Sequence, residues 1–265
     1  LSPGPDLYGR IPAAARAAAQ GAAALVALGR AAAAAGRRAY RLPADRITVI
    51  PQAALPLPRT RQRPSALRAL QGSTELVLVP TGIRAVKDPR RAVAALAPLA
   101  AQRPQLRLWV AGPALDARYA RRLQADLRRH TFARWLGAVP RARFLPYYRA
   151  ARVILSTSRA EGGPPNALLE AAPAGRPALA SDIPAHREFP GAPALFRTDA
   201  ELRRKLRQLL DDPGAASRLA QQQRRRARAR FSLQQEARGW RSLVRRAASQ
   251  VPVTASGTGS RRRRR

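Results

Sequence analysis

The chain has 265 residues, 46% of them hydrophobic, which is enough for one large domain or two small ones with a core. It contains no cysteine, so disulfide bonds and thiolate metal sites are excluded. No uncharged apolar run reaches the roughly 18 residues that a membrane-spanning helix needs. The formal net charge is +35, and all but two of the 50 basic residues are arginine.

The abundance of arginine has two explanations. Such a charge often indicates nucleic-acid binding. Here the arginines are spread over every segment, aromatic residues are only 5% of the chain, and alanine, proline and glycine are abundant together. This pattern favours a GC-rich coding sequence over a specific nucleic-acid interface, because a stacking platform needs aromatic side chains. Non-specific binding to polyanions is expected under either explanation.

The start of the chain predicts a fragment. The sequence has no methionine, not even at position 1. Its first residues, which are rich in proline and glycine, also lack the charged region, apolar core and cleavage site of a signal peptide. We therefore expect that the chain begins inside a larger protein, and that the protein is cytoplasmic.

The first fifth of the chain predicts a small βα arrangement. Residues 11–36 are rich in alanine and have high helix propensity. A short apolar run at 25–28 interrupts them and predicts a strand between two helices. A second short strand is predicted within residues 41–52, before the turn at Pro51 and Gln52. Residues 53–73, rich in proline and arginine, read as a linker.

From residue 74 onward, apolar strands alternate with amphipathic helices. This order predicts an α/β fold with a doubly wound parallel sheet. The strands are predicted at 76–80, 106–111, 134–137, 153–156, 177–181 and 195–196. The helices are predicted at 88–101, 116–129, 141–150, 164–174, 199–211, 213–229 and 232–248, and Asp88, Asp199, Asp212 and Ser232 are predicted to cap helices. Residues 249–265 are predicted to be disordered.

The chain is organised around a glycine-rich loop between a buried strand and a helix, at residues 158–172. Gly162 and Gly163 allow a ligand to approach the backbone, and their N–H groups suit a phosphate. Glu161 and Glu170 bracket the loop, and carboxylates accept hydrogen bonds from hydroxyl groups. A phosphate site beside a polyol site suggests a nucleotide sugar.

This loop resembles the Glu-x7-Glu region of the GT-B retaining glycosyltransferases of group 1, or family 4. A second stretch, residues 82–89, is similar to the Arg…Lys-Asp-Pro element in the donor domain of the same family. The resemblance is strongest to glycosyltransferase 1 domain-containing and selenosugar-synthase-type proteins, and it covers residues 10–248. The glutamates lie nine residues apart, one more than in the family, as if a proline had been added to the loop.

The resemblance implies a role for each candidate residue. Arg84 and Lys87 would stabilise the departing nucleoside diphosphate, and Glu161 would contact the transferred sugar. Glu170 would accept hydrogen bonds from the donor ribose. The remaining candidates would face the diphosphate and sugar (Gly162, Gly163, Asn166, Ala167) or line the nucleobase pocket (Leu136, Gly137, Val139).

The resemblance also implies a domain organisation and a reaction. It divides the chain into a remnant of the N-terminal acceptor domain (1–52), a linker (53–73), a donor-binding domain (74–231), a crossover helix (232–248) and a basic tail (249–265). The reaction would transfer a sugar, with retained configuration, from a nucleoside diphosphate to an unidentified acceptor, and family analogy favours UDP as that nucleotide. We expect no metal or other cofactor, because there is no Asp-x-Asp motif and the two histidines, His130 and His186, are isolated.

Two other hypotheses remain open from the sequence. The longer loop favours a catalytically inactive module that binds nucleotide sugars, whereas the arginine content favours a nucleic-acid binder. GT-B catalysis takes place between two domains, so activity would require the missing part of the N-terminal domain. We expect the chain alone to bind the donor weakly and to turn over poorly.

Overall fold

The computed structural model describes residues 12–60, 64–70 and 72–249. The proline- and glycine-rich first residues, up to residue 11, and, from residue 250 onward, the predicted basic tail lie outside the described residues. Among the described residues, no helix combines the length and the apolar character needed to cross a membrane.

The N-terminal part is a small βα unit. It consists of helix α1 (Ala13–Gly21), strand β1 (Leu25–Ala27), helix α2 (Arg30–Tyr40) and strand β2 (Ile47–Val49). The two strands pair in parallel, so the predicted strand between two helices is confirmed. Small side chains such as Ala19, Ala32 and Ala33 form its core with Tyr40, which lets the helices approach closely. The predicted linker contains one short helix, α3 (Ser65–Arg68).

The main sheet has six parallel strands. They are β3 (Glu75–Pro80), β4 (Leu106–Ala111), β5 (Ala133–Trp135), β6 (Val153–Ser156), β7 (Ala178–Ser181) and β8 (Leu195–Phe196). Their spatial order is β5-β4-β3-β6-β7-β8. The chain therefore moves outward in one direction from β3 and in the other from β6, and the predicted doubly wound topology is confirmed. The switch point lies between β3 and β6.

Helices cover both faces of this sheet. They are α4 (Pro89–Gln102), α5 (Ala117–Leu127), α6 (Leu145–Ala150), α7 (Asn166–Ala171), α8 (Pro184–Glu188), α9 (Asp199–Asp211), α10 (Pro213–Arg230) and α11 (Leu233–Ser249). Alternate residues of β3 belong to different cores: Val77 and Val79 pack with α4, α5 and α9, whereas Leu76 and Leu78 pack with α6 and α7. Because both faces are covered, the central strands read as continuous apolar runs, which made them easy to predict.

Two of the predicted helix caps are wrong. Asp88 has a left-handed backbone (φ 44°) and its side chain does not cap α4, although Pro89 does begin that helix as expected. Thr198, not Asp199, accepts the hydrogen bond from the N–H of Glu201 at the start of α9. Asp212 and Ser232 do accept N–H groups from the first turns of α10 and α11, as predicted.

The helix of the glycine-rich loop is shorter than predicted. It was expected over 164–174 but spans Asn166–Ala171. Pro165 is extended (φ −71°, ψ 143°) and is the N-cap of the helix. Pro164 precedes a proline, a position that disfavours helical geometry, so the helix does not begin there. At the other end the chain turns at Gly175, whose φ is +71°.

A glutamine side chain completes the outer edge of β7. The fully buried amide of Gln223, on α10, accepts a hydrogen bond from the N–H of Ala178 and donates one to its carbonyl oxygen, both at 2.9 Å. On this side β7 pairs with the two-residue strand β8 only from Ala180 onward. The amide therefore satisfies the backbone where no strand is available.

The last helix returns to the N-terminal unit. The carboxylate of Glu236, in the first turn of α11, accepts the N–H of Ala53 at 2.9 Å. One turn further on, Gly239 lies against the side chain of Ile50, where an added Cβ would come within 3.0 Å of it. These contacts join the two ends of the described chain, while the domain boundaries inferred from the resemblance remain predictions.

Candidate functional site

A cavity of about 230 Å³ opens at the carboxyl ends of β3 and β6. Its walls include residues 79–82, at the end of β3 and just beyond it, and residues 155–158, at the end of β6 and just beyond it. These are the two strands on either side of the switch point, where open α/β sheets have their ligand crevice. The topology alone therefore places a site here.

An ion pair occupies the polar side of the cavity. Lys87 Nζ lies 2.6 Å from both carboxylate oxygens of Glu161, and the Ser158 hydroxyl donates to Glu161 Oε1 at 2.7 Å. Both charged side chains are largely shielded from solvent, with 16% of Lys87 and 7% of Glu161 exposed. The structure thus brings together two of the predicted residues that are 74 positions apart in sequence.

Asp88 holds the two loops of this ion pair in register. Its buried carboxylate accepts the Tyr119 hydroxyl at 2.8 Å and Arg159 Nε at 2.7 Å. The Thr157 hydroxyl donates to the Asp88 carbonyl oxygen at 2.7 Å, and the N–H of Arg159 donates to the Val86 carbonyl oxygen at 2.8 Å. The loop after β3 is therefore fastened to the loop after β6, which fixes the distance between Lys87 and Glu161.

The same contact explains the wrong prediction at Asp88. The Asp-Pro pair indicates an N-cap, but the aspartate carboxylate is used by side chains from α5 and from the loop after β6. Burial raises the pKa of Tyr119 above its ordinary value, and the Asp88 carboxylate raises it further, because both oppose the negatively charged phenolate. Tertiary contacts outweigh the local capping preference.

The glycine-rich loop lines the cavity. Gly162, Gly163, Asn166 and Ala167 all contribute to its wall. Gly163 has an additional reason to be glycine: a Cβ there would lie 2.7 Å from Leu28 Cβ, in the N-terminal unit. The loop is therefore pressed against the chain that follows β1. Helix α7 has only six residues, so the positive charge of the site comes mainly from Lys87.

Glu170 lies outside the cavity wall, on the last turn of α7, and is bonded to side chains from other elements. Its Oε1 accepts Arg141 Nε at 3.1 Å, and its Oε2 lies 3.2 Å from the hydroxyl of buried Tyr148. That hydroxyl is also 3.0 Å from the Ala167 carbonyl oxygen, so its single proton serves one of two acceptors. Burial raises the pKa of Glu170, and Arg141 and Tyr148 partly offset this effect.

The predicted nucleobase segment follows β5 at the same edge of the sheet. Leu136 and Val139 are partly buried against the core, and the Gly137 carbonyl oxygen accepts the N–H of Gly112 at 2.8 Å. Gly137 itself has a φ of +75°. The chain then reaches Arg141, the partner of Glu170. The segment with Leu136, Gly137 and Val139 therefore leads directly to the arginine that bonds to Glu170. None of these three residues lines the cavity.

Arg84 is the predicted residue with the least contact to the site. It shares a loop with Lys87, and its carbonyl oxygen accepts the N–H groups of Lys87 and Asp88 at 3.0 and 3.3 Å. Its side chain does not line the cavity. Its Nε is buried and has no hydrogen-bond partner among the described residues.

His186, which the sequence shows only as an isolated histidine, lies behind the ion pair. It is fully buried on α8, and its Nδ1 lies 2.7 Å from the Ser181 carbonyl oxygen. Its Nε2 has no partner within the described chain. Burial lowers the pKa of His186, and the charges nearest to it act in both directions: Lys87 lowers the pKa, while Glu161 and Asp182 raise it. Sequence pattern alone gave no signal of its position, because a lone histidine carries no spacing information.

No group of three or more histidine, aspartate or glutamate residues is arranged to hold a metal ion in the part of the chain that the structure describes.

The fold and the position of the cavity assign the protein to the doubly wound α/β class that has its ligand crevice at the switch point. The profile of the glycosyl transferase-like family matches residues 90–242, more than half of the sequence. The chain belongs to this family.

Solved structures share the fold at low sequence identity. Anabaena HepE in complex with UDP and glucose is 20% identical with a TM-score of 0.73, and the match covers 88% of this chain and 65% of HepE. HepE in complex with UDP-glucose has a TM-score of 0.74 at 20% identity, covering 86% of this chain and 65% of HepE. Sucrose-phosphate synthase from Thermosynechococcus elongatus is 22% identical with a TM-score of 0.73, covering 89% of this chain and 61% of the synthase.

These similarities confirm the predicted GT-B type of fold. The chain spans less than two thirds of the length of these relatives.

Proposed function

We propose that this chain is the donor-binding part of a glycosyltransferase that uses a nucleoside-diphosphate sugar, with UDP as the nucleotide. The observation that carries the proposal is the Lys87–Glu161 pair beside the glycine-rich loop at the switch point. A cation for a diphosphate and a carboxylate for sugar hydroxyls lie in one shielded cavity. HepE, which shares this fold, binds UDP and UDP-glucose in its solved complexes, and this supports the choice of ligand.

The size of the cavity suggests how the donor is divided. At about 230 Å³ it is smaller than the roughly 300–1,000 Å³ of typical small-molecule pockets. It would hold the diphosphate and the sugar. The ribose would then lie toward Glu170 and the base along Leu136, Gly137 and Val139, at the carboxyl ends of the neighbouring strands.

The chemistry would be mainly electrostatic. The bond between the anomeric carbon and the diphosphate oxygen breaks, a bond to the acceptor oxygen forms, and the acceptor hydroxyl gives its proton to the departing diphosphate. Negative charge develops on the departing diphosphate, where Lys87 and the N–H groups of Gly162 and Gly163 would stabilise it. Arg84 would join them by turning toward the cavity. The anomeric carbon of the transferred sugar would keep its configuration. The reaction would need no metal, because Lys87 would supply the positive charge.

Glu161 would exchange partners when the donor binds. In the structure its carboxylate is bonded to Lys87 and Ser158. A diphosphate would compete for Lys87, which leaves the carboxylate to accept sugar hydroxyls while Ser158 keeps it oriented. In this proposal the additional residue between Glu161 and Glu170 is accommodated in the loop before Asn166, where Pro165 is extended.

The test is a calorimetric titration of UDP into the full chain and into K87A and E170A, at two salt concentrations. Charge-assisted hydrogen bonds contribute about 1.5–3 kcal/mol, so each substitution is expected to weaken binding by roughly 10- to 150-fold. The chain offers a matched control, because Lys205 is its only other lysine. K205A removes the same charge outside the cavity and should bind UDP as the unaltered chain does.

Equal effects of K87A and K205A would show that UDP is attracted only by net charge and would refute the donor site. The absence of UDP binding to the folded chain would refute it as well. If UDP binds at Lys87 and Glu170 but the complete protein transfers no sugar, the inactive binding module proposed from the longer loop is the correct alternative.

A further inference from the structure

A second cavity, of about 350 Å³, lies at the opposite edge of the main sheet. Its wall includes Arg152, which precedes β6, and Gly175 to Pro177, which precede β7. These residues are at the amino ends of the strands, whereas the candidate donor cavity is at the carboxyl ends. A four-residue strand is about 13 Å long, so the two cavities are separate.

Arginine side chains dominate this second cavity. Arg152, Arg176 and Arg224 line it, and no acidic residue is among the described residues of its wall. Arg176 also reaches the α6 end, where its Nη2 donates to the Arg149 carbonyl oxygen. We call Arg152, Arg176 and Arg224 the arginine cluster.

The cluster lacks the compensation that other arginines of this protein have. Many of them are paired with carboxylates: Arg90 with Asp126, Arg91 with Asp199, Arg103 with Glu75, Arg141 with Glu170, Arg159 with Asp88, and Arg187 and Arg197 with Asp182. No salt bridge among the described residues includes a member of the cluster.

Arg176 is the centre of the cluster. It is half-buried, and its Nε is buried without a hydrogen-bond partner among the described residues. Burial lowers its pKa, and the positive charges of Arg152 and Arg149 lower it further. A buried guanidinium donor without a partner, surrounded by like charges, is an unfavourable arrangement that an anion would relieve.

We propose that the cavity lined by the arginine cluster binds a small phosphate-bearing anion. Guanidinium groups donate in a planar fork that matches phosphate oxygens. The Ser217 hydroxyl and the Gln221 amide, on α10, lie in the same wall and add neutral donors. With no aromatic side chain among the described lining residues, the site has no platform for a base, and it recognises phosphate groups on a compact molecule.

Inorganic pyrophosphate and glucose 6-phosphate are the probes for a free oligophosphate and for a phosphorylated sugar. Each is titrated calorimetrically into the full chain at 0.15 M salt, and into R176Q, R152Q and R121Q. Arg121 is an exposed arginine on α5, outside the cavity, so R121Q is the control for net charge. At least one probe should bind with 1:1 stoichiometry, and R176Q and R152Q should each weaken it at least tenfold. R121Q should change the affinity by less than twofold.

The donor cavity also offers a cation to these probes, so K87A is measured in the same series. K87A should leave the binding of the better probe at the arginine cluster unchanged, whether or not UDP binds near Lys87. R152Q keeps the test valid if R176Q fails to fold, because Arg152 is exposed and its side chain makes no hydrogen bond with the described residues.

Three results would overturn the proposal. The first is no binding of either probe at millimolar concentration. The second is an equal loss in R121Q, R152Q and R176Q, which would mean diffuse attraction to a highly basic chain. The third is a loss in K87A alone, which would place the anion in the donor cavity.

Discussion

His186 shows how a single buried side chain responds to pH in this site. Its pKa is lowered by burial, and Nδ1 bonds to the Ser181 carbonyl oxygen in either protonation state. The unfolded chain, with an ordinary histidine pKa near 6.5, therefore takes up a proton more readily than the folded chain. The free energy of unfolding should fall as the pH falls below about 6.5, and this contribution should be constant at higher pH.

The measurement is urea unfolding between pH 7.5 and 5.5 for the unaltered chain and for H186N. Asparagine keeps a donor for Ser181 but does not titrate, so H186N should show a smaller decrease in the free energy of unfolding over this interval. Each unit of pKa lowering corresponds to about 1.4 kcal/mol. His130, the other histidine, provides the control H130N. An unchanged slope in H186N would mean that His186 is protonated in the folded protein.

The residues of the site differ in how far sequence could predict them. Lys87, Glu161 and the loop glycines follow from local motifs, and the structure places them in one cavity. Asp88 and Thr157 were missed as site-forming residues, because their contacts join loops that are far apart in sequence. His186 was missed because a lone histidine carries no spacing information. A motif records which side chains face a ligand, while the side chains that hold the loops together are set by tertiary packing.

At the level of elements, the glycine-rich loop is held against the chain that follows β1. G163A would place a Cβ 2.7 Å from Leu28 Cβ, so one of the two segments must shift. We expect a loss of about 1–3 kcal/mol in the free energy of unfolding, as for other overpacked sites, and weaker UDP binding because the loop lines the cavity.

The control for this change is G21A. Gly21 ends α1 and has no atom within 4 Å of an added Cβ, so alanine there should be neutral or stabilising by up to about 1 kcal/mol. Thermal unfolding of both variants, with and without UDP, separates the packing effect from the binding effect. A stable G163A with unaltered affinity would show that Leu28 can move away without cost.

Strands were predicted more accurately than helix ends. Every strand of the main sheet was found within one to two residues, because strands buried on both faces are continuous apolar runs. The helix after the glycine-rich loop and two of the caps were wrong, since consecutive prolines and side-chain contacts from other elements decide where a helix starts. The α/β class was confirmed, and the domain boundaries stay a prediction.

The whole molecule carries far more positive charge than its carboxylates balance. With 15 acidic and 50 basic residues, repulsion acts between arginines over the entire surface. Salt should therefore stabilise this protein, because screening weakens the repulsion more than it weakens the few shielded ion pairs. The melting temperature should rise between 0.01 and 0.15 M sodium chloride.

The check is thermal unfolding at several sodium chloride concentrations. It should be supported by urea titrations, since guanidinium chloride would itself supply salt. A melting temperature that falls with salt would show that the paired arginines, such as Arg103 with Glu75, outweigh the general repulsion. The same series sets the ionic strength at which the ligand titrations are free of diffuse attraction.

The buried amide of Gln223 has a consequence for how the protein avoids self-association. Backbone groups left unpaired along the side of a strand invite another chain to add itself there. Because β8 is only two residues long, the start of β7 would present such groups, and the amide on α10 occupies them instead. The Gln223 side chain thus blocks the addition of a strand from another molecule at this position. With an outermost strand of only two residues, this protection against strand addition lasts only while α10 remains packed against the sheet.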